Sequence, residues 1–268
     1  MTRFLLFFAF LMQLCYGNMI IIADVHGDIP RLKTILQDAN VIDVYDNWVA
    51  PENTIVIQLG DQIDPKDIDN NDIPKNHHFA MLYYTHGLQI QARDKGSDFI
   101  SHIGNHELKN IDKIKKKIRI REIIAFRPIV SIMNGYLFCH GGFKMHHLHM
   151  LNMYNMTIDN VNDIWFKYVL DLQMSPNEVN VLNTLILDTI DSILYTRTLD
   201  DKNTINKLLD MMGLEYMFVG HTETTKVYVK YKVWHLDLVL KAAFDSNGYN
   251  YIQIIDDNII IKPLSEKY

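Results

Sequence analysis

The first half of the chain alternates short apolar runs with longer polar stretches whose apolar residues recur at helical intervals. Apolar runs at residues 19–23, 54–59 and 99–103 predict buried strands, because a strand covered on both faces needs apolar residues at most positions. The stretches 31–39 and 79–92, which follow the first two runs, predict helices. Strand–helix alternation of this kind is typical of layered α/β folds.

The second half of the chain predicts further strands and helices. Two apolar runs flank Asn134-Gly135, a dipeptide that favours a tight hairpin turn. The predicted elements are strands 129–133 and 136–139, helices 165–170, 176–190 and 203–212, strands 216–219, 226–231 and 233–238, and a hairpin over 249–261 that turns at 256–258. Together they predict an α/β (α+β) sandwich flanked by helices in a single domain. The lysine-rich run 109–121 fits a solvated helix face.

Composition and charge exclude several classes of protein. The 268 residues are 48% hydrophobic, 22% charged and 11% aromatic. This is ordinary for a globular protein and unlike disordered, collagenous or coiled-coil chains. The net charge of -6 argues against a nucleic-acid partner, which usually requires a basic face. The two cysteines are too few for a disulfide framework.

Residues 1–17 differ from the rest of the chain. Arg3 precedes an apolar run from Phe4 to Leu14, and the small residue Gly17 ends the segment. This layout predicts a secretory signal peptide over residues 1–17, a domain over residues 18–268, and a location in the secretory pathway. The apolar run is too short to cross a bilayer comfortably, so no stable membrane span is expected in the mature chain. The alternatives are a buried N-terminal strand and, if the segment is not used for export, a cytoplasmic protein.

Five polar clusters stand where predicted strands end, which is where α/β folds place their sites. The clusters are Asp24-Val25-His26-Gly27-Asp28, Gly60-Asp61-Gln62-Ile63-Asp64, Gly104-Asn105-His106-Glu107, Cys139-His140-Gly141-Gly142 and Gly220-His221-Thr222. They supply carboxylates, an amide oxygen and imidazoles, all of which are ligands for divalent metal ions. Asp24 and His26 point to the same side of an extended chain, so they can share one ion. A single such residue is often a helix cap or a core histidine, but capping does not explain five clusters behind five strands.

In this order, the motifs Asp-x-His-Gly, Gly-Asp-x-x-Asp, Gly-Asn-His-Glu, His-Gly-Gly and Gly-His-Thr resemble those of the calcineurin-like metallophosphoesterase superfamily. The His-Gly-Gly motif and the absence of a second histidine directly after His221 are similar to the phosphoprotein phosphatase branch. The segment Leu194-Tyr195-Thr196-Arg197 resembles the aromatic-x-Arg segment of the Shewanella-like and bacterial subgroup of that branch. The resemblance runs from Met19 to about Phe244, and it implies the four-layer β-sandwich of the metallophosphoesterases.

The resemblance also implies a site with two divalent ions, whose identity (Mn, Fe or Zn) the ligand types leave open. The ligands would be Asp24 and His26 on the first ion, Asp61 between the two ions, and Asn105, His140 and His221 on the second. A hydroxide that bridges the ions would attack phosphorus directly. His106 would protonate the leaving group, Asp64 would orient His106, and Arg197 would clamp the phosphoryl oxygens.

The chain departs from the family pattern in two places. The family usually has Arg-Gly after the second Asp of Gly-Asp-x-x-Asp, whereas Pro65-Lys66 follows Asp64 here. Loss of one charge-assisted contact costs about 1.5–3 kcal/mol, so we expect weaker phosphate binding with the metal site retained. Relatives also tend to have a glycine near Val239. The other histidine groups, His77-His78 and His146-His147-His149, lack strand-end acids and are interpreted as lying outside the metal site.

The leading functional hypothesis is a metal-dependent phosphatase that hydrolyses phosphomonoesters, with phosphoserine or phosphothreonine in proteins as the substrate. One alternative keeps the chemistry and takes a dinucleoside polyphosphate or another small phosphoester as the substrate. Another alternative is an inactive metal-binding interaction module. The missing arginine after Asp64 favours this module, and the retained pair of His106 and Asp64 opposes it.

Overall fold

The computed structural model describes residues 17–64, 79–238 and 250–263. Several sequence predictions lie outside these residues: the signal peptide apart from Gly17, the departure at Pro65-Lys66, the pair His77-His78 and the position near Val239. Within the described residues, no helix is both long enough and apolar enough to cross a membrane.

Two five-stranded mixed sheets form the centre of the molecule. The strands of the first sheet, in spatial order, are β10 (Asn258–Pro263), β9 (Asn250–Ile255), β1 (Asn18–Ile22), β2 (Thr54–Gln58) and β3 (Asp98–Ser101). The central strand β1 pairs in parallel with β2 and antiparallel with β9. The predicted C-terminal hairpin is confirmed, and its second strand forms an edge of this sheet.

The second sheet contains the remaining strands. Their spatial order is β4 (Val130–Met133), β5 (Tyr136–Cys139), β6 (Tyr216–Val219), β8 (Val233–His235) and β7 (Tyr228–Lys230). The predicted hairpin between β4 and β5 is confirmed, with φ angles of 48° at Asn134 and 77° at Gly135. Positive φ at both central residues is what a two-residue hairpin turn of type I′ requires, and it explains this dipeptide.

The helices cover the outer faces of the two sheets. On the first sheet lie α1 (Ile29–Asp38) and α2 (Ala80–Asp94). The others pack around the second sheet: α3 (Asn105–Lys109), α4 (Ile111–Lys115), α5 (Ile118–Ala125), α6 (Met145–Met153), α7 (Ile158–Val169), α8 (Pro176–Val181), the π-helix Leu182–Leu187, and α9 (Lys202–Met212). The arrangement is therefore helix, sheet, sheet, helix.

Strand periodicity assigns each apolar side chain to one of these layers. In β1, Met19 and Ile21 join the core between the sheets, where they meet Phe138 of β5, whereas Ile20 and Ile22 face α1 and α2. Alternate side chains of a strand point to opposite faces, so one apolar run supplies two cores. The predicted four-layer sandwich is confirmed.

Three helical predictions are wrong in their extent. The helix predicted over 165–170 begins seven residues earlier, as α7 over Ile158–Val169. The run 109–121 is divided among α3, α4 and α5 by breaks at Asn110 and Lys117, and these breaks let isoleucines of the run face the core. The helix predicted over 176–190 passes into the π-helix and ends at Leu187. The Asp188 carboxylate accepts the N–H groups of Ile190 (2.7 Å) and Asp191 (2.8 Å), which ends the helical hydrogen bonding there.

Candidate metal centre

The loops after β1, β2, β3, β5 and β6 meet at one end of the sandwich, because these strands run parallel within each sheet. In chain order the loops carry Asp24 and His26, Asp61 and Asp64, Asn105 and His106, His140, and His221. Backbone hydrogen bonds join the loops: His26 N donates to Asp61 O (2.9 Å), and Gly220 N donates to His140 O (2.8 Å). All six residues predicted as metal ligands are buried.

Asp61 lies between two groups of histidines. Its Oδ1 is 3.3 Å from His140 Nε2, and its Oδ2 is 3.9 Å from His26 Nε2 and 3.8 Å from His106 Nε2. Ligand atoms of His26, Asp61 and His106 lie within 4.8 Å of one another, and so do those of Asp61, His140 and His221. Asp61 thus belongs to two adjacent sets of potential metal ligands.

Asp24 adds a second buried carboxylate. Its Oδ1 accepts the backbone N–H of His221 (3.1 Å), and its Oδ2 lies 3.7 Å from His26 Nε2. None of the described residues donates a hydrogen bond to Oδ2. Burial, together with the neighbouring carboxylates Asp237 and Asp61, raises the pKa of Asp24. A buried carboxylate in this position requires a positive charge nearby, which a metal ion would provide.

The imidazole rings are held by backbone carbonyls so that one nitrogen of each faces the site. His140 Nδ1 lies 2.8 Å from Leu59 O, His26 Nδ1 lies 3.3 Å from Ile63 O, and His221 Nε2 lies 3.1 Å from Tyr195 O. A hydrogen bond from one ring nitrogen to a carbonyl fixes the tautomer and leaves the other nitrogen as a metal ligand. These three rings are therefore oriented for coordination.

The buried carboxylates and imidazoles of the site shift one another's pKa values. Burial opposes ionisation, yet Asp61 and Asp24 together raise the pKa of His140 to about 10. The pKa of Asp61 is lowered in spite of its burial, with His140, His106 and His26 as the cause. His221 behaves in the opposite way, because burial and the nearby His140 and Arg197 lower its pKa to about 3.

The orientation of the Asn105 amide tests whether a cation fits. Its oxygen lies 3.0 Å from His140 Nε2, 3.0 Å from His221 Nδ1, and 3.1 and 3.3 Å from the two oxygens of Asp61. The Asp61 oxygens are acceptors. His140 Nε2 and His221 Nδ1 also act as acceptors once a metal ion takes the place of any proton on them. A metal ion satisfies the lone pairs of these four atoms and of the amide oxygen at once. Hydrogen bonding alone would require the amide oxygen and nitrogen of Asn105 to exchange positions. The residues therefore fit a divalent cation.

Glycines and strained residues bring the ligands together. Four non-glycine residues of the site have left-handed φ angles: His26 (42°), Asp61 (51°), Asp64 (60°) and His221 (61°). Such backbone strain is concentrated at functional sites. A Cβ at Gly220 would collide with Asp24 Oδ1, and a Cβ at Gly104 would collide with Asp61. The glycines of the motifs are thus required for close packing of the ligand loops.

The structure joins the predicted proton donor to its predicted partner. His106 Nδ1 lies 3.2 Å from Asp64 Oδ2, and Asn110 Nδ2 donates to the same oxygen at 2.5 Å. The hydrogen bond from His106 lowers the pKa of Asp64. Asn110, which lies four residues after His106, carried no signal in the sequence because its role depends on the contact with Asp64.

Glu107 has a role that the sequence analysis did not assign. Its side chain is fully buried and accepts four backbone N–H groups: those of Gly104 (2.8 Å), Asp61 (3.0 Å), Gln62 (2.8 Å) and Ile63 (3.2 Å). It therefore holds the Asp61 loop against the start of α3. Its sequence signal is its place in the Gly-Asn-His-Glu motif at the start of a helix.

Arg197 lies at the edge of the site. Its Nη1 donates to the carbonyl of His221 (2.7 Å), and its exposed side chain lines a cleft of about 450 Å³. Thr222, Lys230 and His235 also line this cleft. His235, the last residue of β8, does not belong to either ligand set among the described residues.

The histidines of α6 are separate from the ligand cluster. His147 is buried, with Nδ1 accepting Lys144 N (3.1 Å) and Nε2 2.8 Å from Asp191 O. Neither set of ligand atoms found among the described residues includes His146, His147 or His149. Their interpretation as residues outside the metal site agrees with this geometry.

Comparison with known proteins assigns the family. A model described as calcineurin-like phosphoesterase matches residues 18–223. The chain therefore belongs to the calcineurin-like phosphoesterase family. This confirms the resemblance drawn from the five motifs and the predicted class of protein, a phosphoesterase-type hydrolase.

Two relatives carry protein phosphatase names. The chain is 25% identical over 242 residues to Shewanella-like protein phosphatase 1 of Plasmodium berghei (strain Anka), an alignment that covers 77% of this chain and 61% of the relative. It is 29% identical over 95 residues to Shewanella-like protein phosphatase 2 of Arabidopsis thaliana, which covers 35% of this chain and 22% of that relative. The matched regions span less than two thirds of either relative.

Solved structures share the fold. The cold-active protein tyrosine phosphatase of a psychrophilic Shewanella species superposes with a TM-score of 0.73 at 18% identity, covering 94% of this chain and 79% of the other. A protein serine/threonine phosphatase from Saccharomyces cerevisiae gives a TM-score of 0.58 at 16% identity, covering 94% and 81%. At these identities the similarity establishes the fold alone.

Proposed function

We propose that this protein is a phosphomonoesterase that uses two divalent ions and acts on phosphoserine or phosphothreonine in proteins. The observation that carries the proposal is the position of Asp61, whose two oxygens face different groups of histidines, with His140 on one side and His26 and His106 on the other. A carboxylate shared in this way is suited to bridge two neighbouring metal ions, as in dinuclear phosphatase sites. Asp24 and His26 would complete the coordination of one ion. Asn105, His140 and His221 would complete the coordination of the other.

When bound, the two ions would polarise the phosphoryl group and lower the pKa of a coordinated water, which supplies a nucleophile at neutral pH. The protein supplies the remaining groups. His106 carries a proton on Nε2, which faces the site, and gives it to the leaving alkoxide oxygen. Asp64 accepts hydrogen bonds from His106 Nδ1 and Asn110, so the carboxylate keeps the ring in this orientation.

Arg197 is suited to hold the phosphoryl oxygens. A guanidinium has five N–H donors, and one of them is committed to His221 O, which fixes the side chain beside a metal ligand. The remaining donors can bind two oxygens of a phosphate group in parallel. The cleft that begins at Arg197 and extends to Lys230 has room for the residues that flank a phosphorylated side chain.

A protein substrate is supported by the names of the relatives, which are protein phosphatases of the Shewanella-like type. The test is to assay the full chain, loaded with manganese, on an aryl phosphate, on phosphothreonine and phosphotyrosine peptides, and on a dinucleoside tetraphosphate. We expect metal-dependent hydrolysis of the aryl phosphate and a higher kcat/KM on the phosphothreonine peptide than on the dinucleotide. Preferred hydrolysis of the dinucleotide would overturn the assignment of a protein substrate.

The controls separate catalysis from metal binding. His106→Ala should retain two ions per chain, as measured by elemental analysis, and lose about 10²–10⁴-fold in kcat, the usual contribution of a general acid. Asp61→Asn should lose both metal and activity. The exposed His149, which lies on α6, provides the matched variant His149→Ala with unchanged turnover. A folded wild-type protein that binds two ions and hydrolyses none of the phosphoesters would identify an inactive binding module instead.

A further inference from the structure

Lys109, the last residue of α3, lies next to the proposed proton donor. Its Nζ is 3.5 Å from His106 Nε2 and 3.0 Å from the nearer atom of the Asn105 side-chain amide. Within the described part of the chain, no carboxylate lies within 4.0 Å of this ammonium group. The positive charge of Lys109 therefore faces the metal site without a neutralising carboxylate among those residues.

Other lysines of the run 109–121 have structural partners. Lys113 Nζ donates to Asn110 Oδ1 (2.8 Å), and Lys115 Nζ donates to Asp171 Oδ1 (2.7 Å) while lying over the ring of Tyr168. Lys109 differs because both of its recorded contacts are residues of the candidate metal centre. Lys109 is exposed, as a solvated helix face requires, but its contacts place it beside the candidate metal centre.

Lys109 is exposed, and the contact with Asn105 leaves its ammonium group free to donate to a bound ligand. When the amide oxygen of Asn105 faces the ligand cluster, the atom 3.0 Å from Lys109 Nζ is the amide nitrogen. Two donors then face each other, and neither satisfies the other. An anionic oxygen bound in front of His106 Nε2 would be within reach of Lys109 and would accept a charge-assisted hydrogen bond from its ammonium group.

We propose that Lys109 is a substrate-binding residue that contacts an oxygen of the phosphate group on the side of the leaving group. This inference rests on the proposed phosphatase function. Arg197 would hold the phosphate from the side of His221, and Lys109 would hold it from the side of His106. The chain has proline rather than arginine after Asp64, and Lys109 provides a cation on that side of the site from a different element.

The experiment measures phosphate affinity directly. Inorganic phosphate is titrated into the manganese-loaded full chain by calorimetry, and it is also tested as a competitive inhibitor of aryl phosphate hydrolysis. For Lys109→Met we expect about a tenfold to hundredfold weaker phosphate affinity and a similar rise in KM, because a charge-assisted hydrogen bond is lost. Lys109→Arg should recover most of the affinity. The exposed Lys116, at the end of α4, provides the matched control Lys116→Met with unchanged affinity.

The outcomes distinguish this inference from the proposed function. Phosphate affinity in Lys109→Met equal to that of the wild type overturns the inference. Loss of bound manganese together with phosphate affinity also overturns it, because Lys109 would then act by supporting Asn105. If the wild type binds phosphate but shows no turnover, the phosphatase proposal fails, and the calorimetric comparison still decides whether Lys109 binds phosphate.

Discussion

Replacement of Glu107 by glutamine tests how the metal-ligand loop is held. The substitution keeps the shape of a fully buried side chain and removes its charge. In the wild type, one carboxylate oxygen accepts the N–H groups of Gln62 and Ile63, and the other accepts those of Asp61 and Gly104. Glutamine retains one oxygen and places an NH2 group where the other oxygen was, so two buried N–H groups lose their acceptor.

The magnitude follows from these contacts. A hydrogen bond to a charged group contributes about 1.5–3 kcal/mol, so loss of two of them predicts a decrease of about 3–6 kcal/mol in the free energy of unfolding. The decrease is a large fraction of a typical total of about 5–15 kcal/mol. Because the Asp61 loop is one of the two segments involved, we also expect weaker metal binding in the variant.

Urea denaturation followed by circular dichroism measures the first effect, and titration of manganese measures the second. Glu122→Gln, at an exposed position of α5, is the matched control and should change neither quantity. A decrease of less than about 1 kcal/mol in Glu107→Gln would refute the reasoning, since even one lost charge-assisted bond costs more than that.

Three further changes test other parts of the site. Gly60→Ala should lower the denaturation midpoint more than Gly135→Ala. Both glycines have positive φ, but a Cβ at Gly60 would lie 2.7 Å from Gly104 N, whereas a Cβ at Gly135 would meet open space. Equal decreases in the midpoint would contradict the steric argument. Burial lowers the pKa of His102 to about 4. As the pH falls below about 6.5, His102 is therefore protonated in the unfolded chain but not yet in the folded protein. The free energy of unfolding should fall by about 1.4 kcal/mol per pH unit between about pH 6.5 and about pH 4. Unfolding free energies of His102→Gln across this range should lack that part of the slope, and a slope equal to that of the wild type would show that His102 does not cause it. Asp64→Asn should lower kcat about a hundredfold by misorienting His106, with metal content retained. An unaltered kcat in steady-state kinetics would show that Asp64 has no role in catalysis.

The predicted strands and the polar clusters that follow them came from local signals, and the ligand assignments came from the family resemblance. Buried strands are continuous apolar runs, and the polar motifs follow them directly, so the sequence placed Asp24, Asp61 and His140 at neighbouring strand ends. The interactions that hold these residues could not be predicted in the same way. Glu107 bonds to backbone groups of a loop 44–46 residues earlier in the chain, which leave no trace in the identities of the side chains. The end of the helix at Leu187 likewise depends on Asp188 binding N–H groups beyond it.

Strained backbone at the site is offset by hydrogen bonds from the surrounding structure. Left-handed φ angles at His26, Asp61, Asp64 and His221 cost on the order of 1–3 kcal/mol each. The four N–H bonds of Glu107 and the carbonyl contacts of the imidazole rings offset this cost. The loops after β1 and β2 are accordingly tied to the sheets and to α3, so substitutions such as Glu107→Gln should affect metal affinity and stability together.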